Sequence, residues 1–374
     1  MAYTTIDKPS DHFNVVGYTG DIQDSDGTSH DQAITGVGFQ PDWVWHKGRN
    51  QARQHILVDS VRGTGGSPTQ MLGLSTQDQN LEVSQNTNGW VKSLDSDGFT
   101  VTSGNDSSSK SNNAGALNNT YVAWCWKCDN AFSNDASATS IGTIDSSGKN
   151  NQTAGLSIAT WTGTGSAGTV AHGLGGVPES YWIKVRTGAT NNWAWYHKDS
   201  NANPEQYAFY IDGGSASTDD SGIANDTAPT STVFSLTNGN YGNINTYTYV
   251  GYFFRSIPGY CKVGTYRGLN QANNVFIYTG FKPKWFMVKN VEDATNVQIY
   301  DTFRDPINNG TGTPLGANEG NAEDDNTSYN LEFLSNGIKM RSQNNNINKV
   351  NQYVYIAIAE RPLVSSSGVP GTAH

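Results

Sequence analysis

Gly36-Val37-Gly38-Phe39-Gln40-Pro41-Asp42-Trp43-Val44-Trp45-His46-Lys47 decides the reading of the chain, because it returns. Thr279-Gly280-Phe281-Lys282-Pro283-Lys284-Trp285-Phe286-Met287-Val288-Lys289 repeats its glycine, proline, aromatic run and closing lysine. A looser copy stands between them: His172-Gly173-Leu174-Gly175-Gly176-Val177-Pro178-Glu179-Ser180-Tyr181-Trp182-Ile183-Lys184. Proline and lysine stay six residues apart each time, at Pro41 and Lys47, Pro178 and Lys184, Pro283 and Lys289. In the first and third copies the run after the proline is apolar at both parities (Trp43, Val44, Trp45; Trp285, Phe286, Met287, Val288). A strand with two apolar faces is buried on both, so it should lie centrally in its sheet.

Other blocks keep the same order. Leu57-Val58-Asp59-Ser60-Val61-Arg62 matches Ile299-Tyr300-Asp301-Thr302-Phe303-Arg304, with Trp195-Tyr196-His197 at the middle position. Ser96-Asp97-Gly98-Phe99 matches Ser335-Asn336-Gly337-Ile338, with Thr232-Val233-Phe234-Ser235-Leu236 between. Each copy closes on an aromatic strand that should border the core: Tyr121 to Trp126, Tyr249 to Phe254, and Tyr353 to Ala359. The anchor prolines lie 137 and then 105 residues apart. Solenoid repeats run ~20–50 residues, so these units are domain-sized.

Within a unit, short runs of Val, Ile, Thr, Tyr and Trp end at Asp-Gly, Asn-Gly and Gly-Gly turns. The pattern predicts an all-β chain of three tandem antiparallel β-sandwich repeats, jelly-roll-like. The expected repeats are 12–127, 155–254 and 255–360. An N-terminal arm (1–11) precedes them and a C-terminal tail (361–374) follows. The Ser/Asn-rich stretch 128–154 reads as a linker or surface excursion. The second boundary is short and carries Pro258-Gly259, so the second and third units should pack closely. Ser103 to Asn119 reads as a loop.

Composition narrows the function classes. Charged residues are 15% of the 374, against ~25% in an average globular protein, which argues against a helix-rich fold. With 10 Trp, 18 Tyr and 13 Phe the chain is too aromatic for disorder. Its net charge of −10 leaves no basic footprint for nucleic acid. No apolar run approaches the ~18 residues that span a bilayer, so no membrane insertion is expected. The polar stretch Met1 to Ser10 has no apolar segment of the signal-peptide kind. Three cysteines do not make a disulfide framework. Synthesis in a cytosol is the expectation.

No motif selects a catalytic, cofactor or metal site. Gly163-Thr164-Gly165-Ser166-Ala167-Gly168 has dinucleotide spacing, but His172-Gly173-Leu174-Gly175-Gly176 follows where a helix would have to continue. Cys125-Trp126-Lys127-Cys128 is a lone pair of thiols with only Cys261 besides, short of a zinc set. Cys125 reads as a small buried hydrophobe. Asp24-Ser25-Asp26-Gly27 and Asp95-Ser96-Asp97-Gly98 read as hairpin turns, since neither carries the spaced glutamate of a calcium loop. His46, His55, His172 and His197 share no repeat position. Asp59 and Asp301 do align, which favours a structural hydrogen bond at a strand end. Trp90, Trp193, Trp195 and Tyr207 fall near expected loops or strand ends, where aromatics form stacking surfaces for sugars. Trp43, Trp45, Trp124, Trp182, Trp285, Tyr121, Tyr249 and Tyr353 recur at matching strand positions and read as core.

Met1 to Phe13, Gly36 to Trp45, Asp59-Ser60-Val61-Arg62-Gly63, Asp95 to Phe99 and Tyr121 to Lys127 together resemble a family of repeat-containing virion proteins from marine tailed phages. The resemblance covers essentially the whole chain. It is strongest in the first unit and weakest in the second, where His197 replaces the shared aspartate. It implies a tail-fibre-like structural protein of the particle and carries no catalytic motif. The expected function is a non-enzymatic, tail-associated fibre or receptor-binding component on the virion surface, acting in host attachment. Capsid decoration and polysaccharide depolymerisation are the alternatives. Expected partners are other virion proteins, further copies of the chain (a trimer among the arrangements) and a host surface glycan or protein. No cofactor is expected.

Overall fold

The structure, a computed structural model, describes residues 4–22, 30–66, 69–84, 89–102, 114–219, 222–239, 241–306 and 310–370. It is all-β, with several antiparallel sheets; the one α-helix among the described residues is Ala136–Thr139. Asp135 caps that helix by accepting from the backbone N–H groups of Ser137 and Ala138.

Three large sheets share one strand order. The first runs Phe13–Thr19, Thr120–Trp126, Trp43–Gly48, Ile56–Asp59, Gly73–Leu74. The third runs Cys261–Arg267, Gln352–Pro362, Phe281–Asn290, Gln298–Asp301, Leu315–Gly316. The second holds the same five-strand pattern as Leu156–Thr162, Thr248–Phe254, Ser180–Thr187, Ala194–His197, Tyr207–Tyr210. Each order is opening strand, closing strand, anchor strand, then two more. The anchor strand is therefore internal in every sheet, as its two apolar faces require. Registers coincide as well. Trp43 pairs with Asp59, Trp285 with Asp301, and Ser180 with His197.

The second sheet is longer, with eight strands. The stretch expected as a linker supplies two of the additional strands: Asn130–Asn134 pairs with Ser146–Asn151, which pairs with the opening strand Leu156–Thr162. Two strands and the short helix Ala136–Thr139 thus fall within residues 128–154. An open sheet edge supplies backbone partners to any chain that can lie flat, which outweighs the low β-propensity of Ser, Asn and Gly.

Smaller sheets accompany the large ones. Asp31–Thr35, Gly98–Thr102 and Trp90–Asp95 form one, Gly168–Ala171 and Val233–Leu236 a second, and Phe276–Tyr278, Gly337–Met340 and Leu331–Leu334 a third. Asp97 sits in the turn between Trp90–Asp95 and Gly98–Thr102 and accepts from the N–H groups of Gly36 and Gly38, both at positive φ.

Side-chain parity explains the aromatic content. In the first anchor strand Val44 packs with Phe99, Val101 and Ile34 of the small sheet. Trp43 and Trp45 point the other way, into one core shared by all three large sheets. Trp124, Trp126, Trp182, Trp193, Trp195, Tyr252 and Trp285 join them there. Trp43 stacks on Trp126 with ring centres 3.9 Å apart, and Trp126 meets Trp285 edge-on at 5.6 Å. The second and third anchor strands alternate likewise: Trp182 enters the shared core and Tyr181 a local one, and Met287 and Phe286 divide in the same way.

Candidate functional site

The polar residues of the repeated blocks meet where the three sheets join. Lys47, Lys184 and Lys289 end the anchor runs and are all buried. Each ammonium reaches a loop of a neighbouring segment. Lys47 Nζ donates to the carbonyls of Gly320 (3.2 Å) and Asn321 (2.8 Å). Lys184 Nζ donates to that of Gln79 (2.8 Å), and Lys289 Nζ to that of Gly214 (2.9 Å). The first segment thus holds the third, the second holds the first, and the third holds the second. Burial pulls the lysines down to about 7, about 8 and about 7 respectively.

Two residues further on, the same cycle recurs on the backbone. The N–H of Glu323 donates to the carbonyl of Arg49 (2.7 Å), Glu82 to Arg186 (3.1 Å), and Ser217 to Val291 (2.9 Å). Side chains reinforce all three joints, the Ser217 hydroxyl donating to the Val291 carbonyl at 2.9 Å. Arg49 binds the Glu323 carboxylate at 2.6 and 3.0 Å, and Arg186 binds Glu82 at 3.0 Å through both nitrogens.

The aligned carboxylates close the cycle in the other direction. Asp59 accepts from the backbone of Val61 and Arg62, from Arg62 Nε at 2.6 Å and from the Tyr252 hydroxyl at 2.7 Å. Asp301 repeats this with Phe303, Arg304 and the Trp124 indole at 3.0 Å. In the second segment His197 takes the place of the acid. Its Nδ1 accepts from the Asp199 N–H, so Nε2 carries the proton and donates to the Tyr355 carbonyl at 3.3 Å. Burial holds its pKa at about 3, so the ring is neutral. The three positions therefore contact the closing strands of the second, third and first sheets in turn. These side chains are fully buried and hydrogen-bonded, and what they do chemically is hold the sheets together.

The other residues singled out in the sequence fall as follows. Gly163 to Gly168 joins two strands, and the N–H groups of Gly163 and Gly165 bind the carbonyls of Tyr247 and Asn243. Cys125 and Cys128 are buried in different cores, and burial pushes both thiols up. Trp90, Trp193 and Trp195, expected near loops or strand ends, are buried. The Trp193 and Trp90 indoles donate to the carbonyls of Ser75 and Met71. The shared core reaches past the strand ends and takes in Trp193 and Trp195, so these three do not form an exposed stacking surface. Tyr207 is partly buried at the start of its strand. Asp24 to Gly27 and Ser103 to Asn113 lie outside the described residues.

Two exposed aromatics lie elsewhere, on the edge strand Phe276–Tyr278, and a third, Phe303, lies beyond the strand Gln298–Asp301. Phe276 is 46% and Tyr278 60% exposed, while Ile277 between them is buried in the local core. Register shows why this is unusual. Tyr278 pairs with Gly337, and in the first segment Thr35 pairs with the matching Gly98. Tyr278 thus stands where the first segment has Thr35, and Phe276 where it has Ala33. Both rings lie against glycines: a Cβ on Gly337 would meet the Phe276 ring at 2.9 Å, and one on Gly280 would come within 3.7 Å of Tyr278. Beside Tyr278 opens a pocket of about 390 Å³, lined by Ile257, Pro258, Lys262 and Leu363 among others. The hydroxyls of Ser256 and Thr279 in its wall are already committed, to Glu179 and to the Phe281 carbonyl. The Lys262 ammonium makes no direct ion pair or hydrogen bond with a described residue, although its charge acts on the Asp199 carboxylate. Counted back from Pro283 as from Pro41, Phe276 falls opposite Ile34 and Tyr278 opposite Gly36, so the sequence match hides what the strand register reveals.

No curated protein matches the chain, and no solved structure does. A family described as a domain of unknown function, DUF7483, matches residues 8–362, so the chain belongs to the DUF7483 family.

Proposed function

We propose that this chain is a non-enzymatic structural protein of a tailed-phage particle, a tail-associated fibre or receptor-binding component that acts in host attachment. The observation that carries the reading is the paired exposure of Phe276 and Tyr278, where the corresponding positions of the first segment are Ala33 and Thr35. Exposed aromatics beside a pocket are a recognition surface, and these two stand where the first segment has small residues. In the same reading the chain is three tandem sandwiches of jelly-roll type. Separate apolar clusters on the small-sheet side of each large sheet support that division. The engagement of the repeated lysines, acids and arginines in joints supports a structural role for them.

The test is made on assembled particles. Particles carrying Tyr278→Ala should assemble in normal yield and adsorb to host cells more slowly than wild type, and the protein should be present in a few copies at the tail. Hundreds of copies on the shell, with normal adsorption of the variant, would replace this reading with capsid decoration. Release of reducing sugar from host polysaccharide by the purified protein would replace it with a depolymerase.

A further inference from the structure

We infer that the Tyr278 surface takes an acidic saccharide, a pyranose bearing a carboxylate or sulfate, stacked on the tyrosine with its charged group on Lys262. The inference rests on the attachment reading and specifies its ligand.

Three features point to this class. First, the rings are platforms. Phe276 lies against Gly337 and is 46% exposed, while Tyr278, near Gly280, is 60% exposed. Residues two apart on a strand project from the same face at roughly 7 Å separation, so neighbouring sugar units can sit on successive rings. The buried Ile277 fixes that face outward. Second, the pocket beside Tyr278 holds about 390 Å³, within the ~300–1,000 Å³ range of small-ligand sites. Two rings and a pocket of that size are a small fraction of the ~800 Å² that each partner gives to a stable protein interface. Third, the wall is mainly apolar and the Ser256 and Thr279 hydroxyls are engaged, which leaves the Lys262 ammonium as the charged group facing a ligand there, with the Tyr278 hydroxyl beside it. An apolar wall with one cation suits an amphipathic anion, and a pyranose with one acidic substituent has an apolar CH face on one side and a charge at its rim. The Asp199 carboxylate already acts on Lys262 but forms no direct ion pair with it, so an acidic group on the sugar can take the contact position that a neutral sugar would leave empty.

The probes are sodium alginate (a polyuronate), dextran sulfate and neutral dextran, titrated into the full-length protein. Alginate or dextran sulfate should bind at least tenfold more tightly than dextran. Tyr278→Ala should weaken that binding tenfold or more and Phe276→Ala severalfold, with unchanged melting temperatures because both side chains are exposed. Lys262→Gln should remove the preference for the charged polymers while leaving residual binding. Equal binding of neutral dextran, or binding unaffected by Tyr278→Ala, would overturn the inference. Host adsorption separates its failure from that of the attachment reading. If Tyr278→Ala particles adsorb slowly but none of the polymers binds, the occupant is a protein and the saccharide is excluded. If the polymers bind through Tyr278 but the variant adsorbs normally, the saccharide site stands and the attachment role falls.

Discussion

Lys289→Met tests the lysine ring directly. Lys289 is fully buried, and its ammonium donates to the carbonyls of Gly214 (2.9 Å) and Thr295 (2.5 Å). Burial lowers its pKa from 10.5 to about 7. A folded pKa below the unfolded one means that the unfolded chain binds the proton more tightly. The stability this residue contributes is therefore complete above about 10.5 and is lost as pH falls toward 7. Inside that window each pH unit is worth up to about 1.4 kcal/mol. Between pH 7 and 9 wild type should gain on the order of 2 kcal/mol from this lysine that the methionine variant does not gain. At pH 9 the variant should be the less stable protein, because two carbonyls lose a donor at roughly 1–3 kcal/mol for each buried group left unpaired. Toward pH 6.5 the gap should close, since methionine carries no charge into the joint. Urea unfolding followed by tryptophan fluorescence at pH 6.5–9.5 reads this from the shared core itself. Two curves separated by a constant amount across that range would show that the ammonium keeps its ordinary proton affinity, and the account of a dehydrated ring of lysines would be wrong.

Three further outcomes are expected. Arg304→Ala should destabilise the chain by about 3–5 kcal/mol in urea unfolding, because it strands the buried Asp301 carboxylate; a loss under 1 kcal/mol would rule out that role. Trp124→Phe should cost at least about 1 kcal/mol more than Trp285→Phe, because the Trp124 indole donates to Asp301 while that of Trp285 has no acceptor in the structure; equal losses would count against it. Cys125, Cys128 and Cys261 are buried and unpaired, with burial pushing all three thiols up. They should react with a thiol reagent only after unfolding, and labelling of the native protein at the unfolded rate would contradict their placement.

The central position of the anchor strands was legible because burial on both faces leaves a mark at both parities: Trp43 and Trp45 serve one core and Val44 another. The mutual packing of the sheets was not legible, since a tryptophan facing a second sheet looks the same in sequence as one facing its own. That ambiguity left a stacking role open for Trp193 and Trp195, near expected loops or strand ends, where the shared core encloses them. Ser146–Asn151 has no apolar alternation to announce a strand. Its clearest constraint is Gly148, where a Cβ would meet the Ile158 carbonyl at 1.9 Å, and that appears only once the strands pair. Phe276 and Tyr278 escaped notice because Phe276-Ile277-Tyr278 reads like the aromatic core strands; only the register against Gly337 shows which parity faces out.

The cycle of joints has a consequence during synthesis. Trp43, Trp45, Trp124 and Trp126 are made by residue 126, yet the core they belong to includes residues as late as Ile358. At ~5–20 residues per second, the remaining 240 or so residues take roughly 12–50 seconds to appear. For that interval the first sheet presents a tryptophan-lined face whose natural cover has not been made. Until the last strand arrives, the nascent chain displays the kind of surface that chaperones hold and that neighbouring nascent chains on a polysome can join.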